Sequence, residues 1–122
     1  MIGKGIPVLK KILNKILILH DVRGVIIIKD NGEIIESIKS GLEYDDNFIT
    51  ALSTLMADSK ATADNFGNSP IFMVFMEFSD YFIHISPLRE EFFLLIIAQN
   101  TANIGRITFE IKKNKEEIVS LL

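Results

Sequence analysis

The run Ile71-Phe72-Met73-Val74-Phe75-Met76 sets the tightest limit on the fold. A strand with one wet face alternates apolar and polar residues. This run does not alternate, so both of its faces need cover. A chain of 122 residues cannot readily cover both faces of every strand alone. Either the run is central in a sheet, or a second subunit covers what one chain leaves open.

The length predicts one domain over residues 1–122, able to bury roughly two-thirds of its unfolded surface. Hydrophobic residues make up 48 % of the chain, the upper edge for soluble proteins. A net charge of −3 gives no footprint for nucleic acid or an anionic membrane. There is no cysteine, which excludes disulfides, thiol catalysis and thiolate metal sites and makes a cytoplasmic location the default. Residues 1–19 mix Lys4, Lys10, Lys11 and Lys15 into an apolar background. No stretch reaches the roughly 18 apolar residues of a membrane span, and no signal-peptide cleavage pattern follows. Lysines along an apolar helix are compatible with a membrane-surface element. A helix docked on a sheet is the preferred reading.

Pro7 suits a first helical turn. Leu9, Ile12, Leu13, Ile16 and Leu17 continue at helical spacing, and the helix is expected to stop near His20. Residues 25–28 read as a strand, Asn31-Gly32 as a turn and residues 34–38 as the second strand of a hairpin. Asp45 or Asp46 is positioned to cap a helix over about residues 47–65. Phe48, Leu52, Leu55 and Ser59 share one stripe of that helix, and alanines keep much of the rest small. Gly67 and Pro70 separate it from the 71–76 run. Residues 81–86 alternate, with Tyr81, Ile83 and Ile85 opposed to Phe82, His84 and Ser86. Residues 87–90 read as a connection. Residues 92–98 are almost wholly apolar, the mark of a central strand. Ile104, Ile107 and Ile111 predict a last helix over about residues 101–117, in which Gly105 costs about 1 kcal/mol. Close packing of its first turn on a strand, or a helix starting after it, would account for that glycine. The order is α-β-β-α-β-β-β-α, an α/β sandwich in which three helices cover both faces of a five-stranded antiparallel sheet.

With this order in place, three passages resemble the roadblock/dynein light-chain family over about residues 7–118. They are Val22-Arg23-Gly24-Val25 entering the first strand, Lys29-Asp30-Asn31-Gly32-Glu33 in the hairpin, and Thr101-Ala102-Asn103-Ile104-Gly105-Arg106 opening the last helix. Asn103 and Gly105 fall on the family's asparagine-x-glycine positions. The resemblance implies a profilin-like sheet of order 2-1-5-4-3, with the central helix on one face and the terminal helices on the other. The chain departs from many bacterial members at its front, where it reaches the first strand by Val25 through a short, strongly apolar helix.

That order puts the 71–76 run at an edge, where an unpaired apolar strand is an aggregation hazard. Two-fold pairing with a second copy covers it. The expected homodimer contacts are Phe48, Leu52, Leu55, Met56, Ser59, Phe72, Met73 and Phe75. The resemblance further implies a non-enzymatic adaptor or regulator that binds a Ras-like small GTPase or a larger multiprotein complex. Asp58, Lys60 and Asp64 on the central helix are the candidate partner surface. A small enzyme or ligand-binding protein with a pocket between helix and sheet is the main rival reading, and a purely structural scaffold dimer is the next.

The residues supply little catalytic chemistry. His20 and His84 are the only histidines, and no metal-ligand spacing links them. His20 reads as a helix-end donor and His84 as a partly buried, satisfied side chain. Asp30, Glu33 and Glu36 surround a turn rather than the cleft that paired carboxylates need. The serines lack nucleophile-elbow glycines, no phosphate-binding glycine loop is present, and no cofactor is expected. Lys112, Lys113 and Lys115 are offset by Glu110, Glu116 and Glu117 and read as a solvated face. Arg23, Arg89 and Arg106 are the only arginines, and none has the context of an arginine finger.

Overall fold

A computed structural model describes residues 2–122, with side chains from Pro7 onward. Met1 and the side chain of Lys4 lie outside the described set. The elements are α1 (Ile2–Leu17), β1 (Val22–Lys29), β2 (Ile34–Lys39), α2 (Asp46–Asn65), β3 (Val74–Glu77), β4 (Tyr81–Arg89), β5 (Phe92–Gln99) and α3 (Ile104–Ser120). The five strands form one sheet of order β2-β1-β5-β4-β3, and every neighbouring pair is antiparallel.

Strand periodicity divides the core. On one face Val25, Ile27, Phe82, Leu94, Ile96 and Ala98 pack under Leu9, Leu13 and Ile16 of α1 and Ile107, Ile111 and Ile118 of α3. On the other, Ile26, Ile28, Ile83, Ile85, Phe93, Leu95 and Ile97 pack under Ile49, Leu52 and Met56 of α2. β1 and β5 are buried on both faces, and so they carry unbroken apolar runs. Each such Leu or Ile contributes roughly 2 kcal/mol by leaving water.

The 71–76 run is not central, and its strand begins only at Val74. The partner strand supplies the reason. Val74 pairs with Ile85, so continuing the ladder would set Phe72 opposite Pro87, which has no N–H to donate. Residues 87–90 are not a loop, because β4 continues through Pro87 to Arg89 and the chain turns at Glu90, whose φ is +42°. Pro87 is tolerated inside the strand because β3 has already ended on that side.

The helix ends follow their caps. Pro7 lies inside α1 rather than in its first turn, because the helix starts at Ile2. α1 stops at Leu17, three residues before His20, and the chain reverses through Asp21 at φ +63°. Asp45 caps α2 by accepting from Phe48 N at 3.1 Å. Asn103 caps α3 by accepting from Arg106 N at 3.0 Å. A Cβ on Gly105 would sit 3.3 Å from that Asn103 oxygen. The glycine is therefore matched to the cap and not to a strand, and α3 starts before it. Near the middle of α3, Asn114 is buried and donates to Glu110 O at 2.8 Å, so the helix runs on to Ser120.

Candidate interface

β3 has a ladder partner on one side only. Its inner residues Val74 and Met76 are half-buried, and its outer ones are exposed. The segment entering it turns through Gly67 and Asn68, both at positive φ. Phe66 is 83 % exposed, Phe72 80 %, Met73 43 %, Phe75 37 % and Phe78 46 %. These are half of the large apolar side chains exposed among the described residues, gathered within residues 66–78. An apolar patch of this kind beside an open ladder is the sort of surface that proteins ordinarily shield. Phe75 is partly held, its ring 5.2 Å from that of Phe82.

α2 borders the patch. Phe48 and Leu55 are partly buried against the sheet, and Ser59 donates back to Leu55 O at 2.7 Å. Leu52 and Met56 are 4 % and 1 % exposed. Their side chains fill the core of the single chain, because they share the sheet-facing stripe with Ile49. Asp58 and Asp64 are exposed. Lys60 instead reaches Asp30 Oδ2 at 3.0 Å and lies over the Phe93 ring at 5.2 Å. The structure thus brings Phe72, Met73 and Phe75 together at the edge and ties Lys60 to the first hairpin. Phe66 and Phe78 were missed by periodicity because they lie in turns. Their signal was an aromatic beside Gly67 and another beside Ser79-Asp80, where polar residues are the norm.

Two of the resembling passages meet in space. Arg23 NH2 donates to Gln99 Oε1 at 2.8 Å, Thr101 bonds Asp21, and Gln99 N donates to Asp21 O at 2.9 Å. This network fastens the entry of β1 to the exit of β5 and so sets up the Asn103 cap. All three arginines have partners: Arg23 as above, Arg89 over the Phe92 ring and Arg106 near Glu110 at 3.8 Å.

His84 is 3 % exposed, and its Nδ1 has no hydrogen-bond partner. The expectation of a satisfied histidine is not met. Desolvation by burial lowers its pKa below 6.5, and the residue's own backbone acts the other way to a lesser extent. Among the described residues no three His, Asp or Glu side chains are grouped to hold a metal. A hollow of about 320 Å³ opens between the start of α2 and the sheet, walled by Leu42, Tyr44, Phe48, Phe78 and Tyr81. Its carboxylates are Glu43, beside Lys39, and Asp45, committed to the α2 cap. No convergent acid–base pair faces it.

The fold has close counterparts. Myxococcus xanthus MglB aligns with a TM-score of 0.84 at 17 % identity, covering 93 % of this chain and 93 % of that one. A structure of MglB with a tetrameric arrangement gives 0.83 at 15 %, covering 96 % and 89 %. A Roadblock/LC7 domain from Streptomyces avermitilis gives 0.73 at 15 %, covering 90 % of each. At these identities the likeness is one of fold. No curated protein matches this sequence. The family model of the Roadblock/LC7 domain matches residues 9–98, from the buried face of α1 to the end of β5, and the chain belongs to that family.

Proposed function

We propose that this chain is a single-domain, non-enzymatic homodimeric adaptor or regulator that binds a Ras-like small GTPase or a larger protein assembly in the cytoplasm. The observation that carries the reading is the open β3 edge with its five exposed apolar side chains. Two-fold pairing of β3 with its mate extends the sheet across two subunits and covers that patch. Phe72, Met73 and Phe75 form the centre of the contact, with Phe48, Leu55 and Ser59 at the α2 border. Leu52 and Met56 support the helix from beneath. An interface of this kind buries more than about 1,200 Å². The tetrameric arrangement of the MglB counterpart supports self-association. Asp58 and Asp64 then lie on the exposed side of α2, where charge selects a partner and steers its approach. Any effect on a GTPase comes from positioning that enzyme's own groups, since phosphoryl transfer depends on orientation and electrostatics.

The test is retention of the host's small GTPases, loaded with GDP or GTP, on the immobilised protein. Nucleotide-dependent retention supports regulation, and no retention in either form moves the reading to a scaffold dimer. The hollow beside Tyr44 and Phe48 favours one further reading, a small-ligand site. Thermal-shift screening that stabilises the wild type but not a Phe48→Glu variant would establish it.

A further inference from the structure

The two layers that cover the sheet carry opposite charge. α1 contributes four lysines and no acid, and α3 has four cations to three acids. The α1–α3 layer is therefore positive by five in a chain whose total is −3, so all other elements together are negative by eight. α2 holds Asp46, Asp58 and Asp64, is capped by Asp45, and has Lys60 as its one cation. That lysine is held by Asp30.

The apolar faces of α1 and α3 are spent on the core, which turns the charges outward. Lys10, Lys11 and Lys15 are exposed along α1, and Arg106, Lys112 and Lys113 along α3. Phe109 is 56 % exposed and lies one turn from Arg106 on one side and from Lys112 and Lys113 on the other. Ile18, just past the end of α1, is 72 % exposed. The acids on this face are Glu116 and Glu117, both exposed, and Glu110, which is buried and bonded to Asn114. The hollows beside Tyr44, beside Lys60 and beside Asn31 contain no residue of α1 or α3 in their walls.

We infer that the α1–α3 layer docks on an anionic lipid surface. A broad two-helix face with cations and an exposed aromatic matches headgroups that move laterally to meet each charge, with Phe109 entering the headgroup–acyl boundary. The acidic α2 side is repelled from the same surface, which fixes orientation. The net charge of −3 hides this property because it averages two opposed faces. If the proposed dimer forms, antiparallel β3 pairing keeps both basic layers on one side of the joined sheet, and the two act together. That gain alone rests on the proposed assembly.

Flotation of the full chain with vesicles tests the inference. The wild type binds phosphatidylcholine vesicles containing about one-third phosphatidylserine, does not bind phosphatidylcholine alone, and is released as salt approaches about 1 M. Each cation near the surface is worth about fivefold in partitioning, so K10Q/K11Q/K15Q lowers binding about a hundredfold. F109S lowers it about tenfold without changing the salt dependence. Unchanged thermal unfolding of the variants shows that the fold is intact, and a fold defect is met with K112Q/K113Q as the second variant. M73E binds more weakly than wild type but keeps the lysine dependence. Equal binding by M73E and wild type would remove the dimer contribution only. No phosphatidylserine-dependent binding, or lysine variants that bind like wild type, would overturn the inference. Polyglutamate that captures the protein as well as the vesicles do would assign this face to an acidic chain and overturn the lipid assignment.

Discussion

The two edges of the sheet meet the same hazard in different ways. β2 ends the sheet with Glu36 and Lys39 on its course, and the chain beyond it folds back to guard it. Ser37 Oγ and Tyr44 Oη lie 2.8 Å apart, while Lys39 sits over the Tyr44 ring at 5.0 Å and near Glu43 at 3.7 Å. Charge and a returning segment are ordinary protections for an edge. β3 has neither. It is four residues long, its only charge is Glu77 at the far end, and the segment before it adds Phe72 and Met73 to the exposed surface. One edge is closed by the chain itself, and the other stays open.

The strongest way to break this contrast is a charge placed on each edge. Met73→Glu is expected to raise the dimer dissociation constant by about 30-fold or more, since an unpaired charge buried in an interface costs over ~2 kcal/mol. Ile34→Glu, on the β2 edge at a residue already 41 % exposed, is expected to leave association unchanged. Sedimentation equilibrium of the two variants checks both outcomes, and equal effects would erase the distinction between the edges.

A fold defect remote from both edges separates stability from assembly. Asn103→Ala removes the α3 cap and is expected to cost about 1 kcal/mol, measured by urea unfolding of a monomeric M73E background, with no change in dimer affinity in the otherwise wild-type chain. Gly105→Ala gains less than the ~1 kcal/mol of helix propensity while Asn103 is present, and more once it is gone.

His84 gives the β3 side a pH dependence. It pairs in register with Phe75, and burial lowers its pKa below 6.5. The folded chain therefore keeps it neutral while the unfolded chain takes up a proton at the ordinary value. Its contribution is full above about pH 6.5 and is lost as pH falls from there toward the lowered folded value. A His84→Leu variant is expected to lose that decline, and to gain about 1 kcal/mol at neutral pH by removing an unpartnered buried nitrogen. The smallest effect is expected at Lys39→Ala. Its exposed pair with Glu43 is worth at most about 0.5 kcal/mol, and the edge stays guarded by the Ser37–Tyr44 contact.

The central strands were legible because burial on both faces leaves no room for polar residues from Val25 to Ile28 or from Phe92 to Ala98. Asn103 stood out only as part of a short passage, and neither its cap of α3 nor the fit of Gly105 to its oxygen was legible. The late start of β3 was hidden, since it depends on Pro87 in another strand. The exposed apolar side chains of Phe72, Met73 and Phe75 were legible in a run that does not alternate. The core placement of Leu52 and Met56 was not legible, because a helical stripe does not say which of two apolar surroundings it meets. The basic layer was read within one run, where Glu116 and Glu117 appear to cancel the lysines. Only the side-by-side placement of α1 and α3 adds the lysines of one to those of the other.

The bond from Lys60 to Asp30 has a mechanical meaning. Ser53 Oγ also donates to Asp30 O at 2.6 Å, so two points along α2 are pinned to one turn of the first hairpin. Two pins and a rigid rod make a braced triangle. α2 stands alone on its side of the sheet, yet it cannot roll about its long axis without stretching one pin. A load applied at its exposed face is carried to the β1–β2 turn, on the far side of the sheet from β3, rather than absorbed where it lands.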